Sequence, residues 1–238
     1  MKGWNQGSSK RLAWPQSSWA SPPDPDNGPI GSPLQLSRAP HEVCPQRPLV
    51  TNSKAPLSSP SVWPGRLPVA FMLSAPGTCE AAKGVPVAGV TGVNLSVGLE
   101  FLHAARPDLF PSSSRYDYRI ANAYSKPLSL ALGSGRTEAS DREILESGNV
   151  ARVIADLQGC HLVVLCGIKA QLLTGAIERQ LGCRTLSCYH TSYRGLRSLE
   201  INADAAAIPG RKRPAKTRGR MRTWANGLLS QIDSLGDA

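Results

Sequence analysis

Residues 69–95 read VAFMLSAPGTCEAAKGVPVAGVTGVNL, and this stretch decides the fold. Five apolar residues, Val69–Leu73, form the centre of a strand over residues 68–74. The chain then turns at Ser74-Ala75-Pro76-Gly77, carries glycines at 77, 84, 89 and 92, and reaches a helix start near Asn94, a side chain suited to an N-cap. Strand, glycine-rich loop and helix together build a ligand mouth at the carboxyl end of a strand, because glycine lets a ligand approach the backbone closely.

Downstream, the pattern repeats. Leu95, Val97, Leu99, Phe101, Leu102 and Ala105 give the first helix an apolar face, and Pro107 stops it. Residues 116–123 (YDYRIANA) predict a second strand ending at or just after Asn122. A helix is expected over 140–157. Ser140 caps it, Asp141 and Glu143 suit its positive end, and Ile144, Leu145, Val150, Val153, Ile154 and Leu157 form its buried side. Residues 161–166 (HLVVLC) read as a strand covered on both faces. Gly167 turns the chain into a helix over 168–181, closed by Gly182. A last strand spans 184–188, followed by a loop over 189–196 and a short helix around 195–200. Residues 223–235 read as an amphipathic helix with Trp224, Leu228, Leu229, Ile232 and Leu235 on one side. This alternation predicts an α/β domain over residues 68–238: three layers, α/β/α, around a short, mostly parallel four-stranded sheet.

Upstream, residues 1–67 hold 12 of the 20 prolines and 11 serines, with no sustained period. Such a composition buries too little to offset the entropy of folding, so a mostly disordered tail is expected. Trp4, Trp14, Trp19 and Trp63 are scattered through it as surface aromatics. The net charge of +10 suits a polyanionic partner, most simply nucleic acid, or equally a basic protein with no such partner. Residues 211–222 (RKRPAKTRGRMR) concentrate seven basic residues and no acid, which suits phosphate contact or a solvated linker. Cys44, Cys79, Cys160, Cys166, Cys183 and Cys188 form no C-x-x-C pair and no zinc spacing, and read as reduced structural thiols. The N-terminal MKGWNQGSSK lacks the apolar core of a signal peptide, and no apolar run approaches a membrane span. The expectation is a soluble cytoplasmic monomer that needs no cofactor.

Four segments share the mouth's edge, among them the turn at Gly167, and three carry the candidate chemistry: the 74–77 turn with its glycine loop, Asn122 in Arg119-Ile120-Ala121-Asn122, and His190-Thr191-Ser192 after the last strand. In these residues the chain resembles the uracil-DNA glycosylase superfamily, in the branch with a G-E-A-P-G first motif. Leu73-Ser74-Ala75-Pro76-Gly77 falls on that motif, and residues 84–92 (GVPVAGVTG) fall on G-x-P-F-V-G-x-A-G. Ile120-Ala121-Asn122 falls on I-T-N. The strand ending in Gly167, with Ile168-Lys169-Ala170, resembles the family's strand followed by G-x-x-A. His190-Thr191-Ser192 falls on H-P-S. The match runs from about residue 69 to 199.

The resemblance implies excision of uracil or a related damaged base from DNA, by hydrolysis of the N-glycosidic bond after base flipping. Asn122 would read the base edge. His190, as a neutral ring, would donate to the leaving base. Glu80 would orient the water. Backbone groups of Ala75, Pro76 and Gly77 would add donors or hold phosphate, and Ser192 and Arg194 would grip DNA phosphates. Tyr193 or Leu196 would wedge into the stack. The departures are specific. Ser74 replaces the motif's Glu, and Val87 replaces its stacking Phe, leaving Tyr124 as a substitute aromatic. Thr191 replaces Pro. Relatives with an iron–sulfur cluster carry four cysteines, whereas here Ser147 sits near one such position and only Cys44 lies early, so neither metal nor cluster is expected. Two other readings remain: a catalytically impaired DNA-binding relative, and an unrelated α/β nucleotide- or small-molecule-binding protein. The latter lacks a G-x-x-x-x-G-K-[ST] loop.

Overall fold

The computed structural model describes residues 59–199 and 212–236. The expectations for residues 1–58, with Trp4, Trp14, Trp19 and Cys44, and for Arg211 lie outside the described residues. The sheet has five strands: β1 (Val62–Trp63), β2 (Val69–Leu73), β3 (Arg119–Asn122), β4 (Leu162–Cys166) and β5 (Arg184–Cys188). Their order is β1-β3-β2-β4-β5, with β1 antiparallel to β3 and the other pairs parallel. The helices are α1 (Thr78–Lys83), α2 (Val90–Ala105), α3 (Asp141–Leu145), α4 (Ser147–Asp156), α5 (Ile168–Gln171), α6 (Thr174–Leu181), α7 (Tyr193–Arg197) and α8 (Lys212–Gly236).

Because strand side chains alternate, the central strands feed two cores. Phe71, Leu73, Ile120, Val164 and Leu186 pack with Leu95, Leu99 and Leu102 of α2 and with Met221, Trp224 and Leu228 of α8. Ala70, Met72, Ala121, Val163 and Leu165 pack on the other face with Ile144, Val153, Ile154, Leu157 and Ile177. This is the expected three-layer α/β/α arrangement. Helices α2 and α8 approach closely at Gly98, where a β-carbon would stand 2.6 Å from the Met221 Cε.

The fifth strand lies inside the stretch expected to be tail, and the reason is tertiary. Trp63 stacks on Tyr116 at 5.0 Å, and its Nε1 donates to the Tyr116 carbonyl at 2.8 Å. Gly65 has φ +58°, and a β-carbon there would come within 2.3 Å of the Tyr118 backbone, so only glycine fits. A two-residue edge strand leaves no period in the sequence.

Other boundaries move for local reasons. The loop after β2 contains α1, and α2 starts at Val90 after Gly89, so Asn94 is a buried helix-interior residue and caps nothing. Tyr116 and Asp117 belong to a 3-10 turn, and β3 begins at Arg119. Ser140 caps α3 as expected: its hydroxyl accepts from the Glu143 N–H, and the Glu143 carboxylate accepts from the Ser140 N–H. The expected helix over 140–157 nevertheless breaks at Glu146, where ψ is 134°. The helix over 168–181 is interrupted at Leu172 and Leu173. The basic run is helical and forms the first half of α8. Among the described residues, Cys79, Cys160, Cys166, Cys183 and Cys188 form no disulfide. Among the described residues no helix is long and apolar enough to cross a membrane.

Candidate functional site

Leu73 lies opposite Asn122, and Cys166 opposite Cys188, so the turn after β2, the end of β3, Gly167 and the loop after β5 all leave the sheet at its carboxyl edge. The first wall is held by Glu80. One carboxylate oxygen accepts the Gly77 N–H at 3.0 Å, and the other accepts the Gly89 N–H at 3.2 Å. Glu80 thus ties the two ends of the glycine loop together. The Gly77 N–H, expected to serve a ligand, is committed to this staple. Ser74 and Pro76 give their carbonyls to the Tyr124 and Leu128 N–H groups, each at 2.9 Å, so the turn containing Ala75 is fixed to the segment after β3.

Val87 does not present a stacking surface. It is buried in the core, and its φ of +48° is an unusual conformation for a β-branched residue. The loop closes over Gly92, where a β-carbon would stand 1.8 Å from the Val87 carbonyl oxygen. Tyr124 also turns elsewhere. Its hydroxyl donates to Glu143 at 3.2 Å, and it lines a cleft of about 400 Å³ with Lys126, Glu143, Glu146, Asn149 and Arg152. The Arg136 guanidinium and the Ser140 cap hold the Glu143 carboxyl far below the usual carboxylate range.

His190 opens the loop after β5, one residue beyond Tyr189. It sits against Gly167, whose φ is +92° and where a β-carbon would stand 3.0 Å from the His190 Cβ. Burial lowers its pKa to about 4, opposed in part by the Glu80 charge, so the ring is neutral at physiological pH. The Ser192 N–H donates to Nδ1 at 3.1 Å. A neutral imidazole that accepts at Nδ1 carries its proton at Nε2, and is therefore a donor there.

The loop that carries His190 is anchored on three helices. The Cys188 carbonyl accepts from Gln171 of α5 at 2.9 Å, and the Tyr189 carbonyl from the Trp224 indole of α8 at 2.9 Å. The Thr191 carbonyl accepts from Asn94 of α2 at 2.7 Å. Ser192 is occupied as the cap of α7, accepting the Gly195 N–H at 3.2 Å. Arg194 is exposed on that helix.

Asn122 stands at the far side. Its side chain is buried, and its amide nitrogen donates to the carbonyls of Ser61 at 3.2 Å and Pro60 at 3.5 Å, in the segment leading into β1. Its own carbonyl accepts from Arg152 at 3.0 Å. Three strand spacings, roughly 14 Å, separate β3 from β5. The 74–77 turn leaves β2, which pairs directly with β3, so Asn122 adjoins that turn, while His190 stands beyond β4 within the electrostatic reach of Glu80.

The sequence places the turn at Gly167 at this edge but gives no site role to Gln171, Trp224 or Asn94. Asn94 left a trace: it falls on the same helical stripe as Leu95, Gly98, Leu99 and Leu102, where a polar residue needs a buried partner. On α8, Arg218 pairs with Glu100 at 2.7 Å, and Arg218 and Arg222 lie over Phe101 at 5.0 and 5.2 Å. No family model matches the chain, and no curated protein matches it.

Proposed function

We propose that the protein is a DNA glycosylase that removes uracil or a related damaged base without a metal. The observation that carries this reading is the state of His190: half-buried, neutral, and with its Nε2–H free of the Ser192 contact. As the glycosidic bond breaks, the base leaves as an anion, and a preorganised neutral donor stabilises the developing charge. Glu80 lies close enough to influence the ring electrostatically, and its carboxylate retains lone pairs after accepting two backbone N–H groups, so it can also accept from the attacking water. Arg194 and the basic run of α8 contribute phosphate contacts.

The test is a uracil-containing oligonucleotide. The expected result is abasic product, reduced about 10²- to 10³-fold by His190→Gln. No product at high enzyme concentration, with Asn122→Ala indistinguishable from wild type, would sink the reading.

A second reading is favoured by one contact. The Asn122 amide already donates to Ser61 and Pro60, which suits a DNA-binding relative that no longer reads a base. That protein would bind DNA in a salt-sensitive way without releasing base. Replacing Lys212, Arg213 and Lys216 by Gln, which leaves Met221 in the core, should weaken binding and flatten the salt slope; unchanged binding would count against a role for that run.

A further inference from the structure

Asn94 lies inside α2, four per cent exposed, on the face that packs into the core. A buried amide is costly unless its hydrogen bonds are made. Its partner is not in its own helix. The side-chain NH2 donates to the Thr191 carbonyl at 2.7 Å, 97 positions along the chain. That carbonyl and the Ser192 N–H are the two ends of one peptide unit, and the Ser192 N–H is the group that donates to His190 Nδ1. The sequence of bonds is therefore Asn94 amide, Thr191 carbonyl, Ser192 N–H, His190 ring. The peptide between them is planar, so fixing its oxygen fixes the direction of its hydrogen. Hydrogen bonds in series also polarise one another.

We propose that Asn94 is a positioning residue for His190: through the 191–192 peptide it holds the imidazole in the tautomer that carries its proton at Nε2. The Thr191 hydroxyl steadies the same peptide, donating to the Thr91 carbonyl of α2 at 3.2 Å from a fully buried site. The two contacts restrain the residue that stands where the resembled motif has proline. If the peptide turned over, its carbonyl would face Nδ1, the proton would move to Nδ1, and Nε2 would become an acceptor. A ring in that state cannot donate to a leaving base. The catalytic consequence rests on the glycosylase reading; the tautomer does not.

The experiment uses the full chain, labelled with ¹⁵N, and reads the two His190 ring nitrogens by long-range proton–nitrogen spectra at neutral pH. Wild type is expected to show the Nε2–H tautomer. Asn94→Leu, which keeps volume but removes the donor, and Asn94→Asp, which opposes a carboxylate to the carbonyl, are expected to mix or reverse the tautomer. Base release should fall about 100-fold in kcat with KM within about twofold, as befits a group misoriented next to the reacting atoms. Thr191→Val removes only the second restraint and should disturb the tautomer less than Asn94→Leu does. Folded Asn94 variants that retain the wild-type tautomer would overturn the proposal. If those variants do not fold, wild type decides: the Ser192 amide nitrogen shift must follow the titration of His190, and its failure to do so would equally overturn it. A wild-type chain that releases no base, yet shifts tautomer on Asn94→Leu, defeats the glycosylase reading and leaves this inference standing.

Discussion

The two sides of the mouth are built on opposite plans. At β5, the residues around His190 give three of their carbonyls to Gln171, Trp224 and Asn94, and the ring keeps a proton to donate. At β3, Asn122 turns its side-chain donor to Ser61 and Pro60, so the side chain itself is the engaged group. Burial alone does not make a functional residue. What differs is whether neighbours satisfy the main chain and leave the side chain available, or consume the side chain.

The largest test of this contrast is on the β3 side. Trp63→Ala removes the ring that seats β1 on Tyr116 and the indole bond to its carbonyl. Denaturant unfolding should show a loss of about 3 kcal/mol. The His190 ring signals should not move; if they do, the two sides are coupled. Next is the pH dependence of the β5 side. The folded pKa of His190, about 4, lies below its ordinary 6.5, so the unfolded chain binds the proton more readily. Its stabilising contribution is full above pH 6.5 and is lost as pH falls from 6.5 towards 4, by about 2–3 kcal/mol. His190→Gln should remove that part of the slope, and an unchanged pH profile would contradict the half-buried neutral ring.

Smaller effects separate local wiring from the site. Ser140→Ala deletes the cap of α3 and should cost about 1 kcal/mol in thermal unfolding without altering either side of the mouth. Glu80→Gln should move the His190 titration slightly downward by NMR, because the carboxylate's charge is the influence that raises it. An upward shift would show that the glycine loop, once released from its staple, lets water reach the ring.

Much of the fold was legible. The strands expected over 68–74, 161–166 and 184–188, the Ser140 cap and the closing glycine at 182 all follow from short-range patterns, and the observed strands fall within a residue of those bounds. The position of β1 was not legible, because two residues cannot show a period and their support comes from Tyr116 and Tyr118 across the sheet. For the site, the sequence sets the 74–77 turn, Asn122 and His190 at one edge and offers Glu80 to orient a water; in the structure Glu80 staples the glycine loop, its charge raises the His190 pKa, and the Asn122 amide is turned to Ser61 and Pro60. It misassigns Asn94 as a cap, since a helix start and a buried polar residue look alike when the neighbouring glycines are this frequent.

By itself the sequence determined the alternation of strands and helices and the edge at which loops gather, since these depend on hydrophobic period and turn chemistry within a few residues. Tertiary structure alone decided which side chains remain available. A bond between residues 94 and 191, or 122 and 61, has no local signature, yet each such bond sets whether a polar group faces a ligand or the protein's own backbone.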